Sequence, residues 1–218
     1  MCWTGYTWEW NVDETEALRV IGGSVKDIGG QDWIFPSEDE CIACHNPAAG
    51  FSLGPETAQL NRDKLYPLPD GNGLADQLHT LDSIGILSAP LPASEVLPKL
   101  ADVSDATLTL EDRARAWLHS NCAGCHRTDG PTPAVIDLRF DTLLSDTGAC
   151  NADPGSGDLG IPGAKLLSLG NADASIIYAR LISRDDGVMM PPLGSSIVDD
   201  AGATLVRDWI DSLNSCIN

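Results

Sequence analysis

The chain has 218 residues, enough for one or two domains with a real core, and 32 acidic against 13 basic side chains give it a formal charge of −19. That surplus argues against nucleic acid and anionic membrane surfaces, which both attract basic patches, and favours a basic partner or simply an acidic, solvated, secreted surface. No apolar run reaches the ~18 residues of a membrane span.

The first stretch, 1–22, reads as a β-hairpin extension. Tyr6, Trp8 and Trp10 alternate onto one face, a polar turn occupies 11–15, and Leu18 and Val20 flank Arg19. Period-two patterning on both sides of a turn is the hairpin signal. The aromatic face needs something to pack on, and the segment that follows is the nearest candidate. Met1-Cys2-Trp3-Thr4-Gly5 lacks the charged and apolar regions of a signal peptide.

The second stretch, 23–105, contains the pentad Cys41-Ile42-Ala43-Cys44-His45. Pro36, Pro47, Pro55, Pro67 and Pro69 interrupt any long helix around it. One helix is expected near 74–86, where Leu74, Leu78 and Leu81 share a face. Asp70-Gly71-Asn72-Gly73 has the start of a calcium loop but no glutamate at the required distance, so it reads as a plain turn. Pro90 and Pro92 mark a linker.

The third stretch, 106–218, is the most regular. Thr109 caps a helix whose stripe of Leu110, Ala114, Trp117 and Leu118 runs into a second pentad, Cys122-Ala123-Gly124-Cys125-His126. A loop-rich segment follows, then a helix near 172–183, then Met189-Met190-Pro191-Pro192. A last helix near 200–214 carries Gly202, Leu205, Val206, Trp209, Ile210 and Leu213 on one face. The two long helices can cross and close a pocket between them.

Cys-x-x-Cys-His is the attachment sequence of c-type haem: each cysteine forms a thioether and the histidine sits beneath the iron. Zinc ligation and a dithiol redox centre are the competing readings. Neither demands a histidine directly after each pair, twice over. The chain therefore reads as holding two haem c groups on Cys41, Cys44, His45 and on Cys122, Cys125, His126. The first iron has no methionine available between 46 and 188, which leaves His119, His79 or an open sixth position. Arg62 and Arg139 are candidates for bidentate pairing with haem propionates, or plain surface arginines. Of the three other cysteines, Cys150 in a Gly/Asp-rich loop and Cys216 after the last helix suit a disulfide that ties down the chain end.

The order helix, pentad, long loop, Met-Pro-Pro, terminal helix resembles class I cytochrome c. Nearly the whole chain is similar to dihaem c-type cytochrome modules of secreted bacterial proteins. The matching stretches are Phe35-Pro36-Ser37, Leu53-Gly54, Gln59-Leu60-Asn61-Arg62-Asp63, Asp76-Gln77-Leu78, Trp117-Leu118-His119-Ser120-Asn121, Leu138-Arg139-Phe140-Asp141-Thr142 and Met190-Pro191-Pro192-Leu193. The resemblance and the helix-breaking Pro-Pro together select Met190, rather than Met189, as the sixth ligand of the second iron.

The resemblance implies a mainly α fold with long loops, class I cytochrome c-like haem modules at 23–105 and 106–218, and the hairpin extension. It implies electron transfer through two haems, as a module of a larger exported protein in the periplasm or outside the cell. The expected partner is a redox protein or a fused dehydrogenase- or oxidase-type domain with a basic docking surface. An enzyme of the dihaem peroxidase type, or a gas-binding module, is the alternative, and it requires an open first iron.

Overall fold

The computed structural model describes residues 3–93 and 96–217. Along the described chain run strands β1 (Thr7–Trp10), β2 (Ala17–Val20), β3 (Ser24–Ile28) and β4 (Gln31–Phe35), then helices α1 (Glu38–Cys44) and α2 (Thr57–Leu60). Strands β5 (Asp63–Leu68) and β6 (Gly71–Asp76) follow, and then α3 (Gln77–Ser83), α4 (Leu110–Cys122), α5 (Ile176–Ile182) and α6 (Asp200–Ser212).

The expectation of a mainly α fold is overturned. Helices account for 29% of the chain and strands for 16%, the strands pairing as three small antiparallel hairpins, so the fold is an α/β mixture. The N-terminal hairpin pairs Trp8 with Arg19 and Trp10 with Ala17. Gly29-Gly30, both at positive φ, turn β3 into β4, the conformation a two-residue hairpin loop demands. Pro69-Asp70 turns β5 into β6, and Leu74, expected on a helix, pairs with Leu65 in that hairpin. The helix at this point begins only at Gln77, capped by the Asp76 side chain on the His79 amide.

The aromatic face of the first hairpin does not pack on the segment that follows. Tyr6, Trp8 and Trp10 are 53%, 57% and 62% exposed. The Arg19 guanidinium lies 4.2 Å from the Tyr6 ring centre, a contact that leaves the indoles in solvent.

The apolar core lies almost wholly in the C-terminal half. Thr109 caps α4 through the Asp112 amide, and Ala114, Trp117 and Leu118 pack against Ala203, Val206, Trp209 and Ile210 of α6. Asp199 accepts from the Gly202 amide at 3.0 Å and from Trp117 Nε1 at 2.9 Å, so one carboxylate caps α6 and fixes it to α4. At Gly202 a Cβ would fall 2.1 Å from Trp117 Nε1, so only glycine lets the helices approach this closely. Leu167, Ile136, Leu138 and Tyr178 belong to the same cluster. In 23–105 the buried apolar side chains, among the described residues, are Phe35, Ala58 and Leu78 alone. So few buried groups contribute little hydrophobic stabilisation for a segment of that length. Among the described residues no helix is long and apolar enough to cross a membrane.

Candidate haem-attachment sites

The first pentad is built on a short, strongly capped helix. Ser37 caps α1, its amide and hydroxyl both donating to Glu40, and Glu38, Asp39 and Glu40 set negative charge in the first turn. Cys41 and Cys44 lie in α1 and His45 closes it, its amide donating to the Cys41 carbonyl at 2.9 Å. Asn46 caps a 3₁₀ turn at Pro47–Ala49, and Gly50, at φ 66°, reverses the chain. The reversal brings the Phe51 carbonyl 2.8 Å from His45 Nδ1, which donates to it. That bond fixes the tautomer and leaves Nε2 as the free ligand atom, as metal-bound histidines require. A mostly apolar cavity of about 880 Å³ opens beside the ring, lined by Trp3, Phe51, Leu53, Pro55 and Gln59. Trp3 stacks on His45 with ring centres 4.7 Å apart.

The second pentad begins at the end of α4, with Cys122 its last residue and Cys125 in the turn that follows. The His126 amide donates to the Cys122 carbonyl at 2.8 Å. Thr132 donates its hydroxyl proton to the Ala134 carbonyl and is left to accept from His126 Nδ1, at 3.4 Å. Again Nε2 is the uncommitted nitrogen. Burial holds the His126 imidazole below its ordinary pKa and pushes the Cys122 thiol up to about 12.

The two pentads abut. Interaction with the neighbouring Cys125 thiol holds the Cys44 thiol down to about 6, and the same interaction drives Cys125 up. Cys125 Sγ also donates to the Ala43 carbonyl at 3.4 Å. The amide of Asn46, 3% exposed, donates to the carbonyls of Cys44 (2.9 Å) and Gly124 (3.1 Å). Among the described residues no three His, Cys, Asp or Glu side chains converge as a metal cage.

His119 is hydrogen-bonded through both ring nitrogens. Its ring is buried, Nδ1 accepts from the Phe140 amide at 3.3 Å, and Nε2 donates to Glu56 Oε2 at 2.9 Å. Phe140 meets it edge-on at 5.1 Å. With both nitrogens bonded, His119 is a strut between the helix carrying the second pentad and the loop after the first. His79 is exposed, with Nδ1 3.8 Å from Asp76 Oδ1, and it does not line the His45 cavity.

Arg139 is paired with a carboxylate. Its Nε lies 2.9 Å from Asp137 Oδ1 in a two-pronged pair, which holds that carboxyl well below the usual range. Arg62 lines a second cleft, of about 970 Å³, together with Arg115 and Phe140. Arg115 is buried, donating through Nη2 to the Arg139 carbonyl at 2.7 Å, and among the described residues its Nε finds no hydrogen-bond partner. Met190 is half-buried; its amide donates to the Arg180 carbonyl at 3.0 Å, and Arg180 Nη1 holds the Gly187 and Val188 carbonyls. Cys150 and Cys216 form a disulfide across a sequence separation of 66.

Sequence spacing singled out the pentads but not the residues that orient them. Phe51, Thr132 and Glu56 act through a carbonyl, a hydroxyl and a carboxylate that any loop carries. Asn46 left one legible sign, an Asn-Pro pair beside a pentad, which marks a turn. No family model, curated protein or solved structure matches the chain.

Proposed function

We propose that the chain is an electron-transfer module that carries two covalently attached haem c groups. The observation that carries this reading is the repeated ligand geometry. Each pentad sits at a helix end, with Cys41 and Cys44 in α1 and with Cys122 closing α4 and Cys125 in the turn beyond it, and each is followed by a histidine whose Nδ1 is bonded to the protein and whose Nε2 is free. The residues present fit the group. The cavity at His45 is lined mainly by apolar side chains, and the segment around it buries too few apolar side chains to be held together by those alone.

In this reading Cys41 and Cys44 hold the first haem and Cys122 and Cys125 the second, with His45 and His126 as proximal ligands. When bound, the iron supplies one-electron chemistry, and the protein sets its ligands, its dryness and its potential. Phe51 and Thr132 orient the two imidazoles. Trp3, Leu53 and Pro55 exclude water at the first site. Arg180 holds the segment from which Met190 is offered to the second iron, and a histidine/methionine pair makes that centre the higher in potential than a bis-histidine one. The acidic surface suits a basic redox partner, in the periplasm or outside the cell.

One observation favours a second reading, an enzyme of the peroxidase type or a gas-binding module. The His45 cavity contains neither His119 nor His79, so no histidine is set opposite His45.

Mass spectrometry of protein matured with a cytochrome c assembly system tests the reading, with two covalent haems expected. One haem, or a tightly held zinc, overturns it. Low-spin iron at both centres supports electron transfer; high-spin iron that binds carbon monoxide gives the second reading precedence.

A further inference from the structure

We infer that the two haem sites are joined edge to edge through the second cysteine of each pentad, and that Asn46 is the positioning residue of that junction. The inference rests on the proposed function and adds the route between the two centres.

The four attachment cysteines are not equivalent. Cys41 lies beside Gly5, where a Cβ would fall 2.5 Å from its Sγ, so it faces the N-terminal segment. Cys122 packs against the apolar core of the C-terminal half. Cys44 and Cys125 instead lie at the seam between the two halves, where Cys125 Sγ donates to the carbonyl of Ala43, the residue before Cys44, at 3.4 Å. A thioether is formed on the sulfur itself, so haem edges attached at these two cysteines would be held near one another. Single-electron exchange, in which one ferrous iron is oxidised as the other ferric iron is reduced, would then have little polypeptide to cross.

The seam is constructed rather than incidental. The Asn46 amide spans it, donating to the carbonyl of Cys44 on one side and to that of Gly124, the residue before Cys125, on the other. Burial of this amide is tolerated because both its donors and its oxygen, which accepts from Ala49 N at 3.0 Å, are satisfied. Gly124 admits the approach: a Cβ there would lie 2.9 Å from Leu53 Cδ2. Arg127 Nη1 reaches back to the Ala48 carbonyl at 3.4 Å.

The test uses the full chain with haem attached. Mass spectrometry first counts the haems, and electron paramagnetic resonance of the fully oxidised protein then reports magnetic interaction between the two ferric irons. Interaction is expected, and Asn46→Asp should abolish it while haem count and absorption spectrum stay unchanged, because aspartate keeps the acceptor for Ala49 and loses both donors. Two haems whose signals are the plain sum of independent centres overturn the junction while leaving the electron-transfer reading intact. Interaction that survives Asn46→Asp overturns the role of Asn46. Fewer than two haems overturns the function and the junction together. If the variant does not mature, circular dichroism of the unmutated protein decides: a split Soret couplet supports the junction, and a single unsplit band rejects it.

Discussion

Replacing Glu56 by alanine removes the acceptor for Nε2 of His119, a side chain 5% exposed. The ring keeps its bond from the Phe140 amide and so keeps its tautomer, leaving one buried N–H without a partner. That costs about 1–3 kcal/mol. His119→Ala removes the same bond together with the edge-on contact to Phe140, which adds about 0.5–1.5 kcal/mol. If Glu56 contributes through His119, the double variant is no less stable than His119→Ala alone, and the cycle returns a coupling energy equal to the Glu56→Ala cost, about 1–3 kcal/mol. Urea unfolding followed by far-ultraviolet circular dichroism measures all four corners, with the slope checked for constancy. Single effects that add to within about 0.3–0.5 kcal/mol refute the strut. A spectroscopic arm decides against a ligand role at the same time. His119→Ala should leave the spin state of both irons unchanged, and a new high-spin signal would return His119 to the first iron.

Three other outcomes are expected. The disulfide closes a ring across a separation of 66 residues, and substituting Cys150 and Cys216 together by serine should cost about 4 kcal/mol in thermal or urea unfolding under non-reducing conditions. Asp137 is held below its unfolded pKa by Arg139, so its contribution is complete above the ordinary carboxylate value of about 4 and is lost as pH falls through the folded value. Asp137→Asn should therefore lower stability at neutral pH and flatten the acid limb of a stability-against-pH curve; an unchanged limb would show that other carboxylates govern it. Met190→Ala should abolish the methionine-to-iron charge-transfer band and lower the potential of one centre only, whereas Met189→Ala should do neither.

What the sequence disclosed follows burial. The capped start of α4, its stripe of Ala114, Trp117 and Leu118 and the apolar face of α6 were legible because each buries a periodic face, and periodicity is the trace that burial leaves. Strand β3 is exposed along its whole length, and Leu74 in β6 is 66% exposed, so neither carried an alternation to read. The spacing of Leu74, Leu78 and Leu81 matched a helix by coincidence of a strand residue with two helical ones. The Gly29-Gly30 turn was visible and could have marked its hairpin. Candidate ligands divided the same way. Fixed spacing revealed the pentads, while the roles of His119 and Arg139 depend on Glu56 and Asp137, whose partnership no spacing encodes.

The covalent ring closed by Cys150 and Cys216 contains α5, the segment bearing Met190 and the whole of α6. A protease that nicks the chain within that ring releases no fragment. Force applied to the chain ends behaves likewise. It passes from Cys150 directly to Cys216 and bypasses the residues between, so the contour recovered on mechanical unfolding falls short by about 220 Å at ~3.4 Å per residue. Reducing the disulfide releases that hidden length and lets tension reach the Met190 segment. The tail of the protein is thus a loop pinned at its base, mechanically in parallel with the remainder of the chain.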